Sequence, residues 1–186
     1  MDISEGGLRK VITTRPYSMG QGRITIPAKN ITQINPETDK RGKIVSIGLI
    51  QTAVSDNLEE NIVKTRQKIE EASKRGAKII CLQELYRTKY FPQKEKEKVS
   101  ELAETIPGES TKVFSEIAKK NKIVLIVPLF EKHSNGKHYN TAVVIDASGE
   151  ILGAYRKVHI PNDPLFYEKN YFVRIGLFMY CFLFFR

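Results

Sequence analysis

Two short apolar runs on either side of one long amphipathic stretch constrain the fold more than any other feature. Residues 43–50 (KIVSIGLI) and 78–82 (KIICL) each suit a buried strand. The stretch between them predicts a helix that begins at Asp56, with Glu59 completing a capping box, and ends near Arg75. Strand, long helix and strand in this order form a βαβ unit, so we expect the two strands to be parallel neighbours.

The sequence continues with one more helix and at least three more strands. A helix is predicted over residues 109–121, followed by an apolar strand over residues 123–130. Pro128 is expected near the end of that strand, because proline cannot donate a hydrogen bond to a ladder. Residues 139–155 hold two strand-like runs around a Ser-Gly turn, which indicates a β-hairpin. Together these patterns predict an α/β domain over residues 43–172, with a mixed sheet.

The segments outside this domain differ from it in composition. Residues 1–42 hold several Gly, Pro, Thr and Asn without a sustained period, so we expect a poorly ordered extension. Their scarcity of acidic residues also resembles, weakly, an organelle transit peptide. Residues 173–186 (VRIGLFMYCFLFFR) are rich in aromatic residues and contain no acid and no proline. They are too short to span a bilayer, which needs about 20 apolar residues. A buried terminal strand and the product of a shifted reading frame both fit this tail.

Charge and cysteine content indicate which partners, compartment and cofactors to expect. The net charge of +9 would suit nucleic acid, but the lysines are scattered. The densest run, residues 94–98 (KEKEK), alternates in sign and is typical of a solvated face. We therefore predict neither a nucleic-acid partner nor a membrane partner. The two cysteines show no zinc-binding spacing, and no secretory segment begins the chain. These features predict a cytoplasmic protein without a metal or other cofactor.

Three charged residues near the ends of predicted strands are candidates for catalysis. Glu84 comes just after residues 78–82, where α/β folds place catalytic groups and where burial would favour a general base. A surface-loop glutamate explains the position equally well. Lys157 follows the second hairpin strand and could stabilise an oxyanion, although a solvated lysine is the simpler interpretation of the residue alone. Glu168 could hold that ammonium group charged.

Taken together, these segments resemble the nitrilase superfamily of carbon–nitrogen hydrolases, and within it the N-carbamoylputrescine amidases. Residues 82–93 (LQELYRTKYFPQ) are similar to the first catalytic motif of that group, which usually has Cys where Pro92 stands. Residues 155–161 (YRKVHIP) resemble its lysine motif, and residues 163–172 (DPLFYEKNYF) resemble the segment that carries its second glutamate. The resemblance covers about residues 43–172, in the family's order.

The resemblance implies a fold, a substrate class and roles for particular residues. The fold would be the nitrilase-like αββα sandwich, of which this chain supplies an incomplete N-terminal portion, and the intact family forms homo-oligomers. The substrate would be a small N-carbamoyl amine or amide, with N-carbamoyl-β-alanine as the alternative to N-carbamoylputrescine. Glu84 would be the general base for a cysteine thiol, Lys157 would stabilise the tetrahedral intermediate, and Glu168 would support the site and the leaving amine. Three further residues are expected to order the site or contact substrate: Glu131, Tyr86 and Asn140.

The nucleophile that this chemistry needs is not evident in the sequence. No Cys-x-Asp segment occurs, and Cys181 follows Glu168 more closely than the family's cysteine does. Cys81 precedes Glu84 by three positions in a strand, and we expect it to be a buried core cysteine. The chain is therefore predicted to be inactive alone. The alternative is a non-catalytic chain that pairs with an intact homologue, with the aromatic tail as the contact. Because the family packs two sheets face to face, an uncovered apolar sheet face would also invite association or aggregation.

Overall fold

The computed structural model describes Ile12–Thr13 and residues 45–175, and the strands among them form one six-stranded sheet in chain order. The strands are β1 (Ile12–Thr13), β2 (Ile47–Ile50), β3 (Ile79–Leu82), β4 (Val124–Lys132), β5 (His138–Ile145) and β6 (Ile151–Arg156). The helices are α1 (Leu58–Lys74) and α2 (Glu109–Asn121), with short 3₁₀ helices at Phe91–Gln93, Ser100–Leu102 and Glu168–Asn170. In the described part of the chain, neither helix is long and apolar enough to cross a membrane.

The predicted βαβ unit is confirmed, with a different cap on its helix. Strands β1 to β4 pair in parallel, and α1 connects β2 to β3. The N-cap of α1 is Asn57, whose side chain accepts a hydrogen bond from the Glu60 amide at 3.1 Å. The prediction of Asp56 was wrong because that carboxylate turns outward and binds the Lys89 ammonium group at 2.5 Å.

Two hairpins complete the sheet, and Pro128 lies well inside one of their strands. Strands β4 and β5 pair antiparallel, as do β5 and β6. Pro128 was expected near the end of its strand, but it is the fifth residue of β4 and pairs with Ala142 of β5. It is tolerated there because the pairing of β4 with β3 stops at Ile126, two residues earlier.

In the described part of the chain, helices cover one face of the sheet only. Helices α1 and α2 pack on this face, and the core lies between the helices and the sheet. It is built around Ile69, Ile80, Phe114, Leu125 and Val143. The opposite face is apolar and partly open to solvent. We call it the open sheet face and define it by two rows of paired residues: Ile47, Ile79 and Val124, and Leu49, Cys81, Ile126 and Val144.

Cys81 therefore lies outside the core, and the prediction of a buried core cysteine was wrong. Its neighbours Ile80 and Leu82 fill the helix-covered side of β3, so strand alternation leaves Cys81 half-buried on the open sheet face. On the same face, the side chains of Ile47 and Leu49 are 45% and 48% exposed. Apolar side chains this exposed, side by side on a sheet, are typical of a surface that another element covers.

Candidate active site

The charged residues singled out in the sequence meet at one edge of the sheet. Strand β6 is antiparallel to β5, which is antiparallel to β4, so β6 runs in the direction of β3. The carboxyl ends of β3 and β6 therefore lie at the same edge, where open α/β sheets bind ligands. Glu84 follows β3 by two residues, and Lys157 directly follows β6.

Lys157 forms the centre of this cluster. Its Nζ lies 3.0 Å from Oε1 of Glu84 and 2.9 Å from the Glu168 carboxylate. Asn140, on β5, donates from Nδ2 to the same Glu84 oxygen at 2.7 Å, and its carbonyl oxygen accepts from the Lys157 amide at 2.8 Å. Burial lowers the pKa of Lys157, but the two carboxylates outweigh it, so the pKa is raised above its ordinary value. The group is therefore a charged donor at neutral pH.

The two carboxylates around Lys157 differ sharply in their exposure to solvent. The Glu84 side chain is 45% exposed, whereas that of Glu168 is 2% exposed. Glu168 receives a second hydrogen bond from the hydroxyl of Tyr90, at 2.5 Å from Oε1. The open carboxylate can exchange protons with a bound molecule, and the buried one is held in place by its two donors.

The backbone around Glu84 is strained in a way that exposes its side chain. Leu85 has a φ of +48°, a conformation that costs a non-glycine residue about 1–3 kcal/mol. Its side chain is buried in a second apolar cluster with Phe91, Phe130 and Phe172. Packing of Leu85 thus holds the turn, and the turn directs Glu84 away from the core.

Glu131 belongs to a separate network on the other face of the sheet. Its buried carboxylate accepts from Nε of Arg156 at 2.7 Å and from Oγ1 of Thr141 at 2.6 Å. The Arg156 guanidinium also lies 4.1 Å from the centre of the Tyr139 ring. Burial raises the pKa of Glu131, but the hydrogen bonds from Arg156 and Thr141 prevail and hold it below its ordinary value. The network anchors the last residue of β6, next to Lys157.

Tyr86 lies away from the charged cluster. The Tyr86 ring packs edge-to-face against Phe114 in the core, with centroids 5.2 Å apart, and its hydroxyl lies 2.5 Å from Oγ of Ser110. Its position supports a role in packing the core. Cys181 lies outside the described residues. Conversely, Tyr90 is at the site although sequence reasoning gave it no separate role. The only signal was its place in the first catalytic motif, residues 82–93.

The cluster thus combines an exposed carboxylate, a charged lysine and a buried carboxylate at the carboxyl edge of an α/β sheet. The family model of the carbon–nitrogen hydrolases matches residues 46–180, and the chain belongs to that family. The matched segment ends eight residues past the domain boundary proposed at residue 172.

Known relatives agree with this assignment. The chain is 37% identical to an N-carbamoylputrescine amidase of Solanum lycopersicum over 72% of its own length and 44% of the relative's. It is 40% identical to a citrullinase of Francisella tularensis, over 69% of this chain and 45% of that protein. A crystal structure of a carbon–nitrogen hydrolase from Helicobacter pylori superposes with a TM-score of 0.67 at 40% identity, covering 72% of this chain and 46% of the other. The nitrilase-like fold is thereby confirmed, and the chain spans less than half the length of these relatives.

Proposed function

We propose that this chain carries the base and the oxyanion-stabilising group of an amidohydrolase that acts on N-carbamoyl amines. The observation that carries the proposal is the Lys157 ammonium group held between the open carboxylate of Glu84 and the buried carboxylate of Glu168. Membership of the carbon–nitrogen hydrolases supports cleavage of a C–N bond. Two of the relatives are named for N-carbamoylputrescine and for citrulline, and both compounds carry a carbamoyl group on an amine. N-carbamoyl-β-alanine is the alternative substrate.

The proposed chemistry uses each group of the cluster in turn. Glu84 takes the proton of a cysteine thiol, and the thiolate attacks the carbamoyl carbon. Lys157 stabilises the oxyanion of the tetrahedral intermediate. When the C–N bond breaks, the proton held by Glu84 passes to the leaving amine, which leaves a carbamoyl group on sulfur. Water, deprotonated by Glu84, then releases carbamic acid, which decomposes to ammonia and carbon dioxide, and the thiol regains its proton.

The described residues do not supply the cysteine for this reaction. Cys81 lies on the open sheet face, and burial raises the pKa of its thiol, which works against a thiolate. Cys181, the other cysteine of the sequence, stands without the Cys-x-Asp context. We therefore propose that the chain by itself binds an N-carbamoyl amine without turning it over.

A titration followed by NMR, paired with an ammonia assay, tests this proposal. N-carbamoylputrescine added to the full chain is expected to shift the Asn140 side-chain amide and the Lys157 ammonium resonances, because both groups donate to Glu84, beside which the carbamoyl group is proposed to bind. Putrescine, which lacks the carbamoyl group, serves as the control and should leave both resonances in place. No ammonia is expected to form. The absence of any shift at saturating ligand would refute the proposal, and ammonia release that Cys181→Ser abolishes would refute the inactivity.

The open sheet face favours a second candidate function, a non-catalytic chain that pairs with an intact homologue. This function predicts that the chain and a full-length carbon–nitrogen hydrolase co-elute from a sizing column in a fixed ratio. Leu49→Lys should abolish the complex, because it places a charge among the exposed apolar side chains of the face. Val63→Lys is the matched control, since Val63 is 52% exposed on α1, on the helix side of the sheet. Equal loss with both variants, or no complex with the unaltered chain, would exclude this function.

A further inference from the structure

The hydroxyl of Tyr90 contacts Glu168, the carboxylate of the cluster that is buried from solvent. It donates to Oε1 of Glu168 at 2.5 Å, and the Lys157 ammonium group donates to the same oxygen at 2.9 Å. We propose that Tyr90 is a positioning residue, which fixes the rotation of the Glu168 carboxylate and thereby aims Lys157 at the reacting carbonyl. This role rests on the proposed function, but the contacts among Tyr90, Glu168 and Lys157 can be measured without turnover.

The loop that carries Tyr90 is held rigidly against the segment that carries Glu168. The Pro92 carbonyl oxygen accepts from the Tyr167 amide at 2.8 Å. The Glu95 carbonyl oxygen accepts from Nδ2 of Asn170 at 2.8 Å, and the Tyr171 hydroxyl donates to the Lys94 carbonyl oxygen at 2.6 Å. These bonds lie outside the charged cluster, and they set the separation at which the tyrosine hydroxyl meets the carboxylate.

A tyrosine suits this position because its hydroxyl is a neutral donor. Burial, the hydrogen bond to Glu168 and the nearby Glu84 carboxylate all raise the pKa of Tyr90, so its hydroxyl keeps its proton. A second cation at this place would compete with Lys157 for the charge of Glu168, whereas a hydroxyl orients the carboxylate and leaves the charge in place. The ring also contacts Phe166, with centroids 6.1 Å apart, and phenylalanine would preserve that contact.

Hydrogen exchange of the Lys157 ammonium group, followed by NMR on the full chain, tests the positioning role. Its hydrogen bonds to the two carboxylates slow the exchange of its protons with water. Tyr90→Phe is expected to accelerate this exchange about tenfold, the equivalent of one hydrogen bond to a charged group. A downfield tyrosine hydroxyl resonance should be present in the unaltered chain and absent from Tyr90→Phe. Lys157→Arg assigns the ammonium resonance by removing it.

Tyr171→Phe is the matched control, because it removes a tyrosine hydroxyl from the same pair of loops but not from a carboxylate. Because the bonds to the Pro92 and Glu95 carbonyl oxygens still join the two loops in this variant, it should leave both the hydroxyl resonance and the ammonium exchange rate unchanged. Equal acceleration by the two variants would mean a general loosening of the loops and would overturn the inference, as would unchanged exchange in Tyr90→Phe. Neither readout depends on substrate, so failure of the proposed amidohydrolase function would leave this test intact.

Discussion

Lys157→Met is expected to lower the free energy of unfolding at neutral pH by about 3 kcal/mol, because it leaves a buried carboxylate without its cation. The stranded group is Glu168, whose side chain is 2% exposed. The lysine itself is 32% exposed, so solvent screening places the effect at the lower end of the range for buried pairs. Urea denaturation followed by far-ultraviolet circular dichroism measures it, since the chain has no tryptophan to report by fluorescence.

Second substitutions in the Lys157→Met background identify which carboxylate causes the loss. Glu168→Gln should recover most of the lost stability, because it removes the uncompensated buried charge while keeping the shape of the side chain. Glu84→Gln should recover little, because Glu84 is 45% exposed and water already solvates it. Equal recovery by the two would contradict the distinction between an open and a buried carboxylate, on which the proposed division of roles depends.

The charged cluster shows why the site could not be derived residue by residue. Glu84 and Lys157 are 73 residues apart. Taken alone, Glu84 is explained equally well as a surface residue, and for Lys157 a solvated lysine is the simpler interpretation. They meet because two successive antiparallel pairings return β6 to the direction of β3. A short sequence window carries no information about that return. Resemblance to a family supplied it, because the order of the family's motifs already encodes the topology.

Local patterns predicted the elements well, and the errors came from contacts between distant residues. The βαβ unit, the second helix and the last hairpin follow from apolar spacing and turn residues, which a local reading captures. Asp56 failed as a cap because Lys89, 33 residues away, binds its carboxylate. The position of Pro128 was mispredicted because tertiary packing sets where β4 stops pairing with β3. The position of Cys81 was mispredicted because tertiary packing sets which side of the sheet the helices cover.

Packing places two tyrosines of the first catalytic motif in different surroundings. Tyr86 and Tyr90 stand four residues apart in the same motif, and both are aromatic with a hydroxyl. The positive φ of Leu85 turns the chain so that Tyr86 enters the core beside Phe114, while Tyr90 reaches Glu168. The sequence contains both tyrosines, but only the turn decides which one faces the charged cluster.

Arg156→Met is expected to produce the largest loss of stability, about 4 kcal/mol at neutral pH, because it strands Glu131, whose side chain is only 5% exposed. Arg156→Lys is the matched control, since it keeps the charge but loses the paired hydrogen bonds and the contact with the Tyr139 ring. It should cost about half as much, and the same denaturation experiment compares the two variants. A loss in Arg156→Lys as large as in Arg156→Met would mean that geometry outweighs charge in this network.

The pH dependence of Arg156→Met follows from the pKa of Glu131. In the unaltered chain that pKa is lowered, so the pair's contribution is fully present above the unfolded-state value of about 4.3 and is lost as pH falls through the folded-state value. Without Arg156, burial outweighs the remaining hydrogen bond from Thr141, which raises the pKa of Glu131 and lets the carboxyl take up a proton on acidification. The stability difference between the two proteins should therefore be largest at neutral pH and shrink toward pH 4. A difference that stays constant across this range would mean that Arg156 stabilises the fold through its packing on Tyr139 and not through the charge of Glu131.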